Sequence, residues 1–375
     1  EAGGGAASDK RARLVLAEIA RRTGDLTAAA THLRDLHALD PTDRHVSADL
    51  ALALADLGNG EEAVALLRPW RGRHAAGGAT AGQDRIEAIW RLLTREFGPA
   101  VAVAGTSEGT EAFSRQAFET ATRFPLGPAT ALLFTATRRW QGGTPEISAP
   151  DILAGVRQTG RGWRIDALAG FDELGGGLRG SLAGRWQARR DHPLRLEGRI
   201  GRERWDSTEA VAAARGWRDG GSVRATWQPP GRISVAARAE LFGLTLGVPF
   251  GDERAAGVDI EYRLPVSQPL DLGYAFTERA ISGPAAALGL QPQTSIHSAG
   301  VAWRPRFGAV DVAIRPEVQT DARRGTLGVG VSGGLSWQAG DAATLEARGG
   351  VGSAAVETTA ADRYHHIHLG LAVRF

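Results

Sequence analysis

Apolar and polar residues alternate with a period of two at the C-terminal end of the chain. From His366 to Phe375 the odd positions are apolar, and the even positions are polar or small. Because successive side chains of a β-strand point to opposite faces, this segment predicts a strand with one apolar and one polar face. The same alternation recurs between turn residues, back to about residue 113. Weak alternation repeated in this way is typical of a transmembrane β-barrel.

The alternation predicts 16 antiparallel strands that close into a transmembrane β-barrel over residues 113–375. The strands are expected near 113–124, 128–140, 150–158, 162–171, 177–189, 193–203, 208–218, 221–229, 232–242, 256–264, 269–278, 295–305, 309–319, 325–337, 342–352 and 364–375. The segment 208–218 fits least well, because Arg215 falls on its apolar side. An even number of strands closes the sheet and leaves no unpaired edge. About 16 strands leave room for an aqueous channel.

Residues 1–97 have a helical pattern instead, with apolar residues at i, i+3 and i+4. Matching residues recur 34 residues apart: Leu16 and Leu50, Ala17 and Ala51, Gly24 and Gly58, Ala29 and Ala63, and Leu33 and Leu67. This is the tetratricopeptide period. A further helix, Asp84 to Phe97, is expected to cap the two repeats. The alternative is a helical hairpin that serves only as a spacer. Residues 98–112 are interpreted as a linker, so the predicted class is an α + β membrane protein.

Two observations favour an apolar face that points outward to lipid, rather than into a soluble β-sandwich. The longest predicted connections, near 243–255, 279–294 and 353–363, all follow odd-numbered strands and therefore share one rim. Most connections at the other rim are tight, with 141–149 as the exception, and outer-membrane barrels have this asymmetry. Several aromatic residues near strand ends are also expected to form a membrane-interface girdle, although packing in a core is the alternative for tryptophan: Trp140, Trp163, Trp186, Trp227, Trp303, Trp337 and Phe375.

With the apolar face outward, the polar face lines the lumen and carries a mixed, mildly basic set of charges. The expected lining residues, which would form the path of a polymer, are Arg164, Asp166, Arg179, Arg185, Arg195, Glu197, Arg199, Arg224, Arg238, Glu240, Asp259, Glu261, Arg263, Arg315, Glu317, Glu346, Arg348 and Arg374. Rings of charge decide what passes a pore, so this bias disfavours a polycation and tolerates a neutral or anionic solute. The alternative is that the arginines and carboxylates pair across strands and stiffen the barrel.

Composition narrows the possible functions further. The formal net charge of the 375 residues is only +2, which does not indicate binding to nucleic acid. The chain has no cysteine, which excludes disulfides and cysteine metal sites. No run of about 18 apolar residues exists, so no transmembrane helix is predicted. The chain also lacks methionine, and its start at Glu1 is interpreted as a processed or truncated end.

A helical repeat domain followed by a 16-strand barrel with a terminal phenylalanine resembles the tetratricopeptide-barrel exporters of bacterial exopolysaccharides. The poly-N-acetylglucosamine porin and the C component of cellulose synthase are of this type. The stretch Arg190 to Arg195, followed by Arg199-Ile200-Gly201, is similar to a patch of the first of these. Phe375 resembles their barrel-assembly signal. The resemblance implies an outer-membrane pore that guides a secreted polysaccharide out of the cell. It also implies a periplasmic helical domain that docks the polymer, or periplasmic or inner-membrane components of the synthesis machine.

Other functions carry less weight. A surface receptor or protein-secretion barrel with a helical client-binding domain is the main alternative, and a soluble β-rich binding module is a further one. His366 and His368 share a strand face, but no third metal ligand is evident, so no metal site is predicted. The glycines at 328, 330 and 333 have the spacing of a dinucleotide-binding motif. They lie within a strand pattern and no helix pattern follows them, so dinucleotide binding is not predicted. No catalytic residues and no cofactor are expected.

Overall fold

The structure is a computed structural model. It describes the chain from Ala2 to Arg374 except for residues 24, 71–80, 111–113, 128, 143–146, 161, 173–176, 188–191, 206–209, 212–213, 215, 268, 340–342 and 354–362. Four features of the sequence analysis therefore lie outside the described residues: Gly24 of the repeat, Arg215 of the predicted strand 208–218, Phe375, and the Arg190-Asp191 part of the family-like stretch.

The N-terminal part of the chain is helical, as the 34-residue period predicts. The helices are α1 (Ala2–Thr23), α2 (Leu26–Leu39), α3 (Arg44–Asp56), α4 (Gly60–Leu67) and α5 (Ala81–Phe97), with a 3₁₀ turn at Arg68–Trp70. Each helix packs against the next one in sequence. Ala29, Ala51 and Ala63 are completely buried, which lets the helices approach closely. The tetratricopeptide-like domain is confirmed, and no helix in the described residues is long and apolar enough to cross a membrane.

Local residues explain where these helices begin and turn. Asp25 precedes α2, and its carboxylate accepts a hydrogen bond from the N–H of Ala28. Asp43 caps α3 in the same way, accepting from the N–H groups of His45 and Val46. Such caps satisfy N–H groups that have no partner inside the helix. Gly58 makes the turn from α3 to α4 with a φ of +88°, a conformation that favours glycine.

The rest of the chain is a β-barrel. Its strands are β1 (Ala100–Thr110), β2 (Ser114–Gly127), β3 (Thr130–Gly142), β4 (Ile147–Gly160), β5 (Trp163–Asp172), β6 (Gly177–Trp186), β7 (Leu194–Arg204), β8 (Trp217–Trp227), β9 (Ile233–Thr245), β10 (Pro249–Arg263), β11 (Leu270–Ile281), β12 (Gln293–Trp303), β13 (Arg306–Phe307), β14 (Val310–Asp321), β15 (Thr326–Ala339), β16 (Ala343–Ser353) and β17 (Arg363–Arg374). The two-residue segment β13 continues β12, because both pair with β14.

The sheet closes on itself, since β1 pairs with β2 on one side and with β17 on the other. All pairings are antiparallel, and the pieces β12 and β13 together count as one strand, so the barrel has 16 strands. The predicted 16-stranded antiparallel barrel is therefore confirmed. Closure leaves no strand edge to be satisfied within a bilayer.

Two of the predicted segments are wrong, and their errors cancel in the strand count. The predicted linker 98–112 contains β1, which completes the barrel between β17 and β2. The inner face of its first half carries the small residues Ala100, Ala102 and Ala104, so the polar half of the alternation is missing there. The predicted strand 208–218 is mainly a connection, because β8 begins only at Trp217.

Large apolar side chains cover the outside of the barrel. Leu178 is 79% exposed and Leu327 is 73% exposed, and similar residues occur along nearly every strand. Such an area of exposed apolar surface is unfavourable in water, and it matches the lipid-facing band of a membrane barrel. The sandwich alternative is therefore wrong, because these side chains do not face a second sheet. The barrel is built to span a bilayer.

The connections differ between the two ends of the barrel. One end, the long-loop rim, carries the connections 205–216, 282–292 and 354–362. The other end, the short-turn rim, carries tight connections such as 128–129 and 161–162. The predicted asymmetry is present, but the predicted long connection 243–255 is wrong. Strands β9 and β10 extend until only 246–248 separates them, and Gly247, with φ of +77°, makes the turn.

Candidate functional site in the barrel lumen

Polar side chains occupy the wall face opposite to the exposed apolar ones. On β6, Leu178 and Leu182 are exposed on the outside, so Arg179 and Ser181 point into the lumen. The same alternation places the charged residues of the predicted lining on the inner face wherever the structure describes their side chains, and only the side chain of Arg374 falls outside that description: Arg164, Asp166, Arg179, Arg185, Arg195, Glu197, Arg199, Arg224, Arg238, Glu240, Asp259, Glu261, Arg263, Arg315, Glu317, Glu346 and Arg348. The lumen wall is therefore charged along its length.

Ion pairs tie together the strands from β3 to β6. Arg157 and Asp166 are direct cross-strand neighbours, and two hydrogen bonds of 2.6 and 2.8 Å join them. Asp151 accepts a hydrogen bond from Arg179, and Arg139 lies 3.9 Å from the same carboxylate. The side chain of Asp151 is only 3% exposed, so it depends on these cations for charge compensation.

A second network joins β7, β8, β10 and β11 near the long-loop rim. Arg279 Nε lies 2.6 Å from Glu253 Oε1, and both side chains are at most 8% exposed. Arg218 lies between this pair and β7, 2.5 Å from Glu203 and 3.8 Å from Glu253. A buried ion pair is costly to break, because removal of one partner leaves the other charge uncompensated. This network therefore fixes the relative position of four strands.

A third network lies at the short-turn rim. Arg304 bridges two strands, with 2.5 Å to Asp271 and 3.1 Å to Glu261. Arg263 also contacts Asp271, at 3.2 Å, and Arg315 approaches Glu261 at 3.8 Å. Pairing across strands, expected as the alternative role of the lumen charges, is therefore a property of the structure. It coexists with the charged lining, because many of these side chains remain partly exposed to the lumen.

Several charged lining residues were missed by the sequence analysis. They lie near strand ends or on β2 to β4: Arg115, Arg139, Asp151, Arg157, Glu203, Arg218, Glu253, Asp271 and Arg279. Strand alternation could have identified them, because Asp271 and Arg279 are odd-numbered residues of β11 and the odd-numbered residues of this strand face the lumen. Glu253 and Arg279 fell in predicted connections, whereas the others lay inside predicted strands but were not included in the predicted lining.

An apolar cluster fills part of the lumen at the long-loop rim. Phe242 and Leu244 are on the inner face of β9, and both are buried. Trp205 and Val211 from connection 205–216, and Leu290 from connection 282–292, pack on them. Ala285, Ile281 and the partly buried Leu246, Phe250 and Leu288 complete the cluster. The described parts of two long connections, Trp205, Val211 and Leu290 among them, therefore pack into the barrel mouth.

The helical domain is attached to the opposite, short-turn rim. Arg123, on the inner face of β2, donates hydrogen bonds to the carbonyl oxygens of Gly98 and Thr94, at 2.7 and 3.3 Å. These are carbonyls at the C-terminal end of α5, where a cation is favourable. A second contact brings Gly58 so close to Gly160 that an added Cβ would lie 3.0 Å from its Cα. The domain is therefore packed on the barrel by contacts from α5 and from the α3–α4 turn.

The tryptophans of the predicted girdle lie mostly at one end. Trp163, Trp186, Trp227, Trp303 and Trp337 are all exposed on the outer face near the short-turn rim. Trp163 and Trp186 are direct cross-strand neighbours. Only Trp140, at the end of β3, belongs to the long-loop rim, and Arg138 lies over its ring at 5.4 Å. A belt of this kind marks the level of a membrane interface.

His366 and His368, near the C-terminus, are on the inner face of β17. His366 is stacked on Tyr364, with ring centroids 6.5 Å apart. Within the described ranges, no group of three or more histidine, cysteine, aspartate or glutamate side chains is arranged to hold a metal ion.

The fold and lumen together define a class: a membrane-spanning 16-strand β-barrel that carries a tetratricopeptide-like helical domain on one rim. A family model for the tetratricopeptide repeat matches residues 20–76. No curated protein matches the sequence.

Among solved structures, the fold is similar to one described as "Bacterial polysaccharide outer membrane secretin". The likeness has a TM-score of 0.57 and 13% identity, and it covers 74% of this chain and 98% of that chain. CdiB from Acinetobacter baumannii matches with a TM-score of 0.48 and 8% identity, over 73% of this chain and 60% of that chain. A mutant of the Rh. blastica porin matches with a TM-score of 0.38 and 13% identity, over 74% of this chain and 99% of that chain. At these identities the likeness to the secretin shows a shared barrel fold.

Proposed function

We propose that this protein is an outer-membrane pore that guides a secreted exopolysaccharide out of the cell. The observation that carries the proposal is a closed barrel with a charged lumen and a helical repeat domain fixed at its short-turn rim. The apolar outer face supplies the membrane-spanning band, and the polar inner face supplies a hydrated path. The fold shared with a polysaccharide outer-membrane secretin supports this choice among barrel functions.

The location of the helical domain follows from the asymmetry of the rims. Outer-membrane barrels have short turns on the periplasmic side and longer loops outside. The helical domain is attached to the short-turn rim, so we place it in the periplasm. There it would meet the polymer, or periplasmic or inner-membrane components of the synthesis machine, before the polymer enters the lumen. Helical repeats of this type present extended surfaces suited to such docking.

Passage through the pore requires no chemical step by the protein, and we propose that it is not an enzyme. The ion-pair networks keep the wall rigid, while the apolar cluster at the long-loop rim restricts the outer mouth. Transport then depends on the polymer being driven from the periplasmic side. The lumen provides hydration and weak, repeated contacts rather than tight binding, as conduction through a pore requires.

The test is a deletion strain in the native organism, complemented with the full chain or with the barrel alone. We expect deletion to retain exopolysaccharide inside the cell, and the full chain to restore secretion. Normal secretion of every exopolysaccharide in the deletion strain would overturn the proposal. Recovery of one exported protein client, instead of glycan synthesis components, in pull-downs through the helical domain would favour the protein-secretion alternative.

A further inference from the structure

The strand register aligns arginines in a row across five neighbouring strands of the lumen wall. Arg164 on β5 lies opposite Arg185 on β6, and Arg185 lies opposite Glu197 on β7. Glu197 lies opposite Arg224 on β8, and Arg224 lies opposite Arg238 on β9. We call these five residues the arginine row. It contains four cations and one anion, and all five side chains are on the inner face.

Direct cross-strand neighbours of like charge destabilise a sheet. The row contains two such pairs, Arg164 with Arg185 and Arg224 with Arg238. Neighbouring strands are about 4.8 Å apart, so these positive charges are held close together. A wall selected for stability alone would alternate charges here, as Arg157 and Asp166 do on β4 and β5. The row therefore needs a different explanation.

The partners of the row leave its charge incompletely neutralised. Arg164 lies 3.7 Å from Asp166, and Arg224 lies 3.3 Å from Asp259. Arg185 donates to the amide of Gln187 at 3.1 Å, which is a neutral acceptor.

Arg238 also donates to a neutral group, the hydroxyl of Thr277 at 2.7 Å. Within the part of the chain that the structure describes, the side-chain hydrogen bonds of Arg185 and Arg238 go to neutral groups and not to a carboxylate. This contrasts with the buried pair Arg279 and Glu253 nearby.

A groove of about 360 Å³ opens on the lumen wall along most of the row. Its charged lining residues are Arg164, Asp166, Arg185, Glu197, Arg199 and Arg224. Arg238, at the end of the row, lines the adjoining cavity toward the long-loop rim, together with four further arginines: Arg115, Arg204, Arg218 and Arg279. The row thus leads from the short-turn rim, where Arg164 and Arg185 lie next to Trp163 and Trp186, toward Arg238 in the middle of the lumen.

We propose that the arginine row is a binding track for carboxylate groups spaced along a polymer, so that the exported glycan is an acidic polysaccharide. This inference rests on the proposed export function and specifies its substrate class. The planar guanidinium group binds a carboxylate through two parallel hydrogen bonds, which suits arginine for this task. Five strands at about 4.8 Å give the row a length of roughly 19 Å, which fits several units of a chain rather than one small ion.

The test is channel block of the purified full-length protein in planar bilayers. The probes are oligogalacturonate, which carries a carboxylate on each sugar, a neutral malto-oligosaccharide of matched length, and a cationic chitosan oligosaccharide. We expect oligogalacturonate to interrupt the current at a concentration at least about tenfold lower than either other probe, since tenfold corresponds to one modest charged contact.

The decisive variant is Arg185→Gln combined with Arg238→Gln, which removes charge from both like-charged pairs. We expect it to raise the half-blocking concentration of oligogalacturonate about tenfold, with little change for the neutral probe. The matched control is Arg323→Gln, an arginine of the turn after β14 that pairs at 2.6 Å with Glu278, a residue in the outer-face phase of β11. This control is expected to change the block less than about twofold. Heat-modifiable mobility on gels checks that each variant is a folded barrel.

A second measurement does not depend on sugar binding. In a KCl gradient, the double variant is expected to shift the reversal potential toward cation selectivity, because the row attracts anions. Equal block by the acidic and neutral probes, or a double variant that behaves as wild type in both measurements, would overturn the inference. If the deletion strain still fails to secrete its glycan in that case, the export function stands and only the acidic substrate class is wrong.

Discussion

Arg123 offers a sharp test of how the helical domain is held on the barrel. Its side chain is only 9% exposed and donates to the carbonyl oxygens of Gly98 and Thr94. Hydrogen bonds from a charged donor contribute about 1.5–3 kcal/mol each, and the helix terminus adds about 0.3–1 kcal/mol. Water entering the gap in an alanine variant recovers part of this. We therefore expect Arg123→Ala to weaken docking by about 3 kcal/mol, which is roughly a 100-fold increase in the undocked fraction.

Limited trypsin digestion in detergent measures that fraction. Only Gly98 and Pro99 separate α5 from β1, and Arg95 is a trypsin site in the last turn of the helix. We expect Arg123→Ala to accelerate cleavage at Arg95 severalfold to a hundredfold, while the barrel stays intact. Arg115→Ala, on the same face at the other end of β2, is the matched control and should leave the rate unchanged. Equal cleavage rates in wild type and Arg123→Ala would refute the docking role.

Three further predictions concern the lumen and the helical domain. Glu253→Gln removes the carboxylate that pairs with the buried Arg279 and is expected to lower the free energy of unfolding in urea by about 3–5 kcal/mol, part of which the added Arg279→Gln restores; an unchanged midpoint contradicts this. Leu290→Ala removes a completely buried side chain from the apolar cluster, so single-channel conductance is expected to rise, whereas the exposed Val248→Ala is not expected to change it. Burial raises the pKa of Asp43, but hydrogen bonds from Lys10 and the N–H of Val46 outweigh this and hold it below its usual value. The stabilisation is therefore present above about pH 4 and is lost as the pH falls through the folded-state pKa, so the helical domain should unfold more readily in acid, and Asp43→Asn should flatten that dependence in circular dichroism.

The alternation of apolar and polar residues predicts most of the strands. The prediction fails where the polar half of the alternation is replaced by small residues. The first inner positions of β1 are small, as Ala102 and Ala104 show, so the start of the segment has no clear helical or strand pattern. The connection 205–216 was misread in the opposite way, because Val211 and Trp217 fall in phase and suggest a strand. Both segments are decided by tertiary structure: β1 by the gap between β17 and β2, and the connection by its packing on β9.

The lumen lining could be predicted residue by residue, but its arrangement could not. Parity alone assigns Arg185 and Arg238 to the inner face. Whether two arginines are direct neighbours depends on the register between strands, which the lengths of the connections set. The connection between β7 and β8 was misplaced, so the opposition of Glu197 and Arg224 could not be derived. The same limit applies to the buried pair of Glu253 and Arg279, which comes from β10 and β11.

The two mouths of the lumen are restricted by different kinds of interaction, and this difference bears on how a polymer could pass. At the short-turn rim, Arg123 holds the helical domain through charged hydrogen bonds, which a hydrated chain can replace with its own polar groups. At the long-loop rim, Val211 and Leu290 hold two connections together through apolar contact, which a polar chain cannot match. Because ion pairs fix the wall between them, the barrel itself has little freedom to widen. Opening of the long-loop mouth therefore requires Val211 and Leu290 to separate, which is why loss of the Leu290 side chain should act on conductance and not on docking.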